Sequence, residues 1–252
     1  MTAGPQVLVP SGLATATAGT CLDLAAEDLH HLRRVLRLDD GAPVRLTDGV
    51  GRTAAARLVA DGAELTADPV AVPRPAPRLA LAQGLTRGRR ADDAVRTAAE
   101  LGADLLVPVV AARTQGRPGG AERSALVARW RAVAGAALTQ SRGAWAAEVG
   151  GVTDVAGLAA TPPWDGPRLV AVPGAPPLPE VLGAAAAEVR AAGIVGIAVG
   201  PEGGWTEAEV AGLVAAGWRA VGLGPTVLRS EHAGPAALAV AAAATGRWAV
   251  GR

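Results

Sequence analysis

From Leu79 onward, short apolar runs alternate with helical stretches: Leu79–Gln83, Leu105–Val110, Leu169–Val172, Ile194–Val199 and Ala220–Leu223 are separated by segments of helical composition. A run that is apolar at every position suits a strand buried on both faces, and such strands come from parallel sheets whose crossovers are helices. The rhythm therefore predicts an α/β domain with helices on both sides of a parallel sheet. It also predicts where a ligand binds, because such sheets present their sites in the loops that leave the carboxyl ends of strands.

The chain before this alternation reads differently. Val7–Val9, Val44–Leu46 before Asp48-Gly49, and Ala54–Val59 before Asp61-Gly62 are short apolar runs broken by turn residues, the pattern of strands and hairpins in a small β-rich module. Between them, residues 25–38 read as a helix that starts after Asp23 and ends before Gly41. At 100° per residue, Leu29, Leu32, Val35 and Leu36 share one side and His30, Arg33, Arg34 and Arg37 another. One face packs; the other is either an ordinary solvated surface or a grip for phosphates. The segment Pro69–Pro77, with four prolines, is a stiff linker, and the expected domains are 1–72 and 73–252.

Charge localises the expected partner. The net formal charge of the 252 residues is only +1, and the chain has no Lys, Asn, Phe or Tyr, so every basic side chain besides histidine is an arginine. Residues 79–145 carry 10 arginines against 5 acids, whereas residues 1–78 carry 8 against 9 and residues 146–252 carry 6 against 9. Arg87, Arg89, Arg90, Arg113 and Arg117 stand among Gly and Pro residues, which favours loops that meet an anionic ligand. Cys21 is the only cysteine, so a disulfide framework and a cysteine-based zinc cluster are excluded, and His30, His31 and His232 make a poor metal set. No apolar run reaches the roughly 20 residues of a membrane span and the start lacks a signal-peptide pattern, so a soluble, cytoplasmic protein without metal or membrane partner is expected.

Two loops carry the chemistry. Gly200-Pro201-Glu202-Gly203-Gly204-Trp205 follows directly on the run ending at Val199, and three glycines there let a ligand approach bare backbone. Thr206 and Glu209 form a capping-box pair that opens a helix striped with Val210, Leu213 and Val214. No Gly-Lys-Ser/Thr follows, and the Gly-x-Gly-x-x-Gly fingerprint is missing, so neither a nucleoside-triphosphate loop nor a dinucleotide loop is indicated. The second loop runs from Leu223 and Gly224 through Val227, Leu228 and Arg229 to Ser230, Glu231, His232 and Ala233. Ser230 is placed to N-cap the final helix, and Glu231 in its first turn suits the helix dipole, so Glu231 has a structural reading as well as a functional one.

Gly-Pro-Glu-Gly-Gly followed by Leu-Gly-x-x-x-Leu-Arg-x-Glu resembles the paired cofactor loops of the RsmE family of SPOUT methyltransferases. His30-His31-Leu32-Arg33-Arg34-Val35-Leu36-Arg37, Glu100-Leu101-Gly102 and Gln140-Ser141-Arg142 resemble further motifs of that family, in the same order along the chain. The resemblance implies a small PUA-like RNA-binding β-barrel followed by a SPOUT-type parallel sheet with a carboxyl-terminal trefoil knot, and a homodimer formed through the knotted domain. It implies S-adenosylmethionine as cofactor, held by Val172, Val199, Gly200, Pro201, Glu202, Gly203, Gly204, Leu223, Gly224, Val227 and Leu228. It also implies methylation of a uridine at N3 in 16S ribosomal RNA, free or in the small ribosomal subunit, with His30, Arg33, Arg34, Arg37, Arg87, Arg89, Arg90 and Arg113 as RNA contacts. The chain departs from the family at Thr97, where a lysine is usual, at Thr139 for an acid, at Gly143 for a base, at His232 for a threonine, and in lacking an early Arg-Phe pair.

Uridine N3 is a weakly acidic imide nitrogen that must lose its proton as it attacks the methyl group. Arg229 is the expected stabiliser of charge on the uracil oxygens, Glu231 or Glu202 the expected proton acceptor, and Arg142 a third catalytic candidate. A target base has to leave its stack, and Trp145 and Trp205 are the aromatic side chains nearest the motifs. A ribose 2′-O methyltransferase would share the same loops, and a non-catalytic ribosome-assembly factor would share the fold; measured S-adenosylmethionine binding separates the last from the other two.

Overall fold

The computed structural model describes residues 4–249; the ends of both expected domains, 1–3 and 250–252, lie outside the described residues. The chain divides into two compact units, one of residues 1–74 with 135–146 and one of residues 75–134 with 147–252.

The first unit is a six-stranded, mainly antiparallel sheet. Its strands are β1 (Gln6–Leu8), β2 (Cys21–Asp23), β3 (Pro43–Thr47), β4 (Arg52–Val59), β5 (Gly62–Leu65) and β6 (Val70–Ala71), in the order β1-β3-β4-β5-β2 with β6 also on β4. The runs Val44–Leu46 and Ala54–Val59 lie in β3 and β4, the run Val7–Val9 overlaps β1 at Val7 and Leu8, and the Asp-Gly pairs turn the chain between neighbours, as expected. Val7, Val44, Leu46, Ala54, Ala56, Leu58 and Leu65 close the core over Leu13 and Leu32.

The helix expected over 25–38 forms with a change of pitch. A short α1 (Ala26–His30) runs into a π turn at His31–Val35, where Leu36 N–H donates to the His31 carbonyl at 2.9 Å. The wider turn rotates the residues that follow, so only Leu32 of the predicted apolar face is buried, while Val35 and Leu36 are 59% and 42% exposed. The expectation that all four apolar side chains pack is thereby corrected.

The second unit is the predicted parallel α/β layer. Its chain order is β7 (Arg78–Gly84), α2 (Arg90–Glu100), β8 (Leu105–Val110), α3 (Gly120–Ser141), β9 (Glu148–Val149), β10 (Thr153–Asp154), α4 (Val155–Ala160), β11 (Arg168–Ala171), α5 (Leu178–Ala184), α6 (Ala186–Ala192), β12 (Ile194–Val199), α7 (Glu207–Ala215), β13 (Arg219–Val221) and α8 (Ser230–Ala244). The end of α3, residues 135–141, groups with the first unit. The strands stand in the order β10-β8-β7-β12-β11-β13, all parallel, with β9 also on β8.

Side chains alternate across this sheet, which is why every run is apolar throughout. Leu79 and Leu81 of β7 face a core shared with α2, α5 and α8, while Ala80 and Ala82 face the core of α4, α7 and the buried Trp164 and Trp218. Those two indoles meet edge to face, with ring centroids 5.5 Å apart. A side chain at residue 196 of β12 would put its Cβ 2.1 Å from the Trp164 ring, so only glycine fits there.

Candidate functional site

The two glycine-bearing loops emerge from neighbouring regions of the second unit and close over one cavity of about 520 Å³, a volume usual for a small-molecule site. Of the residues expected to hold a cofactor, Val172, Val199, Gly200, Pro201, Glu202, Gly204, Leu223, Gly224, Val227 and Leu228 line it. Gly203 does not. A Cβ there would sit 3.0 Å from the Arg113 side chain, so Gly203 lets that arginine lie over the loop instead. Gly204 at φ +68° and Gly224 at φ +129° adopt backbone that other residues rarely take.

The wall is mixed in character. Valine, leucine and proline side chains supply apolar surface, and Arg90, Glu202, Thr226, Arg229, Ser230 and Glu231 supply polar groups. Two polar atoms in the lining are buried without a hydrogen-bond partner: Trp205 Nε1, a donor, and Glu231 Oε2, an acceptor. Buried polar atoms are costly when unpaired, at about 1–3 kcal/mol each. Ala171, Pro173, Thr226 and Ala233 also line the cavity and carry no distinctive sequence signal.

Polar side chains hold the first loop in place. Thr206 and Glu209 form the predicted capping box at the start of α7, and Glu209 Oε1 also accepts from the Ala112 N–H at 2.7 Å. Arg113 Nη1 donates to the carbonyls of Gly203 at 2.8 Å and Trp205 at 3.3 Å. Arg90 pairs with Glu202. Arg90 and Arg113, both expected as RNA contacts, are thus engaged with the first loop, and of the two only Arg90 lines the cavity. Arg87 and Arg89 remain exposed, Arg89 lying 3.8 Å from Asp92.

The second loop brings Arg229 and Glu231 together in the lining. The capping expectation is corrected: Arg229 occupies the N-cap position with no side-chain cap bond, and Ser230 is the first residue of α8. The Ser230 hydroxyl points back and donates to the Gly200 carbonyl at 2.5 Å. This reversal spares the hydroxyl for joining the two loops, a role that chain position alone does not disclose.

The remaining candidates belong to the first unit. Arg142, at φ +58°, follows α3, and Thr139 and Gly143 stand beside it; Gln6 Nε2 donates to the carbonyls of Gly143 at 2.8 Å and Leu138 at 3.3 Å. Arg142 does not line the cavity. Trp145 donates through Nε1 to the Val72 carbonyl and lies under Arg74, 4.9 Å from guanidinium to ring centre. Arg33 Nη2 donates to Asp40 and to the carbonyls of Val59 and Ala60, so it braces the module, whereas His30, Arg34 and Arg37 are exposed. Partial burial, reinforced by Glu27, raises the Asp28 carboxyl above the usual carboxylate value, against a lowering by His31. Among the described residues no helix is long and apolar enough to cross a membrane, and no cluster of three or more His, Cys, Asp or Glu could hold a metal ion.

Residues 73–242 match the RNA methyltransferase domain family, and residues 24–67 match the RNA methyltransferase PUA domain family. A "Ribosomal RNA small subunit methyltransferase E" of Mycobacterium bovis is 36% identical over 231 residues, covering 86% of this chain and 84% of that one. The chain belongs to the ribosomal RNA small subunit methyltransferase E family. A member from Synechocystis is 30% identical over 92% of this chain and 75% of its own. The crystal structure of the Neisseria gonorrhoeae member, bound to S-adenosyl methionine, superposes with a TM-score of 0.81 at 27% identity, covering 95% of this chain and 97% of that one. The resemblance to the RsmE family is therefore confirmed, and with it an α/β fold with a parallel sheet and a PUA-like domain.

Proposed function

We propose that this RsmE-family protein transfers a methyl group from S-adenosylmethionine to N3 of a uridine in 16S ribosomal RNA. The observation that carries this reading is that the two glycine turns share one cavity whose lining holds both Arg229 and Glu231. The bare backbone at Gly200, Gly204 and Gly224, the apolar Val172, Val199, Leu223, Val227 and Leu228, and the unpaired Trp205 Nε1 suit a ligand that combines a flat base, a ribose and an amino-acid arm.

S-adenosylmethionine bound there supplies an electrophilic methyl group on a sulfonium. The protein's own part is orientation, charge and one proton. Holding nucleophile and methyl in line is worth roughly 7–11 kcal/mol of barrier. Glu231, in the pocket lining, takes the N3 proton, and a positioned base of this kind contributes about 10²–10⁴-fold. The Arg229 guanidinium stabilises the charge that spreads over the uracil oxygens. Arg142 acts from the first unit on the RNA.

We assign residues 1–72 to a PUA-like RNA-binding domain and residues 73–252 to a SPOUT methyltransferase domain with a trefoil knot around the pocket. After β11, Pro177 and Gly222 extend its parallel pairing with β13, and Gly222 N–H donates to the Pro176 carbonyl at 2.7 Å. The exposed His30, Arg34, Arg37, Arg87 and Arg89 are assigned to RNA contact, and Val227, Leu228, Val240 and Trp248, apolar and solvent-facing in the single chain, to a homodimer interface. The protein works in the cytoplasm, on naked RNA or on the assembled small subunit.

The test is incubation with labelled S-adenosylmethionine and either naked 16S RNA or assembled small subunits, followed by mass spectrometry of the nucleosides. Label on uridine N3 is expected. Label on a ribose hydroxyl, or none on either substrate, overturns the reading.

A further inference from the structure

Gln83 is a polar residue at the end of an otherwise apolar strand, and it is completely buried. A strand built only for its core would carry an aliphatic side chain there. Instead the Gln83 amide reaches the start of α8: its Nε2 donates to Ser230 Oγ at 3.1 Å, with the Ser230 carbonyl at 3.4 Å and the Gly84 carbonyl at 3.2 Å also within reach. Ser230 Oγ then donates to the Gly200 carbonyl at 2.5 Å.

Gly200 begins the first loop, and Ser230 is bonded directly to Arg229 of the second. A relay of two hydrogen bonds therefore runs from the middle strand β7 through the second loop to the first. The other Gln83 atom, Oε1, is buried without a partner, a cost in stability that packing does not require. Its space exists because residue 234 is a glycine, where a Cβ would lie 2.5 Å from Oε1.

We propose that Gln83 is a positioning residue for methyl transfer: through Ser230 it fixes the spacing between the Gly200 carbonyl and Arg229, and so holds the donor pocket in its binding shape. The proposal rests on the methyl-transfer reading above. Gln83 touches neither substrate nor donor; it acts through Ser230.

The test uses the full-length protein with Gln83→Leu, Ser230→Ala, the double variant and Ser230→Thr. Calorimetric titration with S-adenosylmethionine and thermal unfolding without it are measured for each, with kcat and the RNA KM. Gln83→Leu and Ser230→Ala should each weaken donor binding about tenfold, as loss of one well-placed hydrogen bond can, and lower kcat with the RNA KM unchanged. The double variant should lose no more than the single ones, because both remove one relay. Ser230→Thr, which keeps the hydroxyl, should restore binding.

Lower unfolding midpoints with unchanged donor affinity would make Gln83 a purely structural residue, and additive losses in the double variant would uncouple it from Ser230; either result overturns the proposal. If Gln83→Leu does not fold, Ser230→Ala and its rescue by threonine decide alone. A wild-type protein that binds no donor overturns the methyl-transfer reading itself, whereas wild-type binding matched by Ser230→Ala overturns only the relay.

Discussion

Gly84, at the end of β7, stands against Pro201: a Cβ at residue 84 would lie 2.4 Å from the Pro201 nitrogen and 2.6 Å from the Gly200 carbonyl carbon. Both neighbours are backbone or ring atoms that cannot swing aside. Gly84→Ala should therefore push the first loop off β7 and weaken S-adenosylmethionine binding by at least tenfold, about 1.4 kcal/mol or more. Gly212→Ala is the natural contrast, because that glycine is exposed in α7 and nothing lies within 4 Å of its missing Cβ. It should raise stability by about 0.5–1 kcal/mol and leave donor binding untouched. Titration calorimetry and chemical denaturation of the two variants check both halves.

Arg33 and Arg34 are adjacent, yet the structure gives them different work. Arg33 is committed to Asp40 and two carbonyls, while Arg34 and Arg37 face solvent. Replacing Arg34 or Arg37 by Ala should weaken RNA binding and flatten its salt dependence by roughly 0.7–0.9 in log–log slope for each phosphate that is no longer neutralised. Arg33→Ala should instead lower the unfolding midpoint of the first unit. Filter binding across a salt series, paired with thermal melts, separates the two effects.

That contrast shows what was legible in the sequence and what was not. The bounds of β8 and β12 coincide with the apolar runs read from sequence, because a strand buried on both faces writes its length directly into hydrophobicity. The capping box of α7 and the placement of both glycine loops at a cavity were legible for a similar reason: each depends on local residue chemistry. The π turn at His31–Val35 was not, since i+5 bonding leaves the composition of a helix unchanged and yet turns Val35 and Leu36 outward. Nor was the commitment of Arg33, Arg90 and Arg113, whose partners lie 7 to 112 residues away in sequence. Ser230 misled because a serine before a helix usually caps it, and only the fold reveals a carbonyl at Gly200 that competes for the hydroxyl.

Arg247 and Asp104 form an ion pair of 2.9 Å with side chains 4% and 3% exposed. Arg247 also donates to the carbonyls of Pro75, Pro77 and Gly102, and Asp104 Oδ2 accepts from the Leu79 N–H, so the segment after α8 is stapled beside the start of β7. Removing one partner of a buried pair strands the other charge and typically costs about 3–5 kcal/mol. Arg247→Met should approach that loss in urea unfolding. Replacing both partners with apolar residues should cost less than the single change, although the Leu79 N–H and three carbonyls then lose their bonds.

Glu231 separates a catalytic role from a structural one most sharply. Its position in the first turn of α8 offers a dipole interaction worth about 0.3–1 kcal/mol, and Glu231→Gln removes that charge while keeping the shape. If helix stability were its whole purpose, the variant would lose a little in unfolding midpoint and nothing in turnover. The place of Glu231 in the pocket lining beside Arg229 argues for proton transfer, so the expected result is a fall in kcat of about 10²–10⁴ with S-adenosylmethionine affinity and midpoint nearly unchanged. Uridine N3 ionises on its own as pH rises, so the activity of Glu231→Gln should climb toward alkaline pH more steeply than that of the wild type. A parallel pH profile for the two proteins would remove Glu231 from the chemistry and leave Glu202 as the acceptor to test.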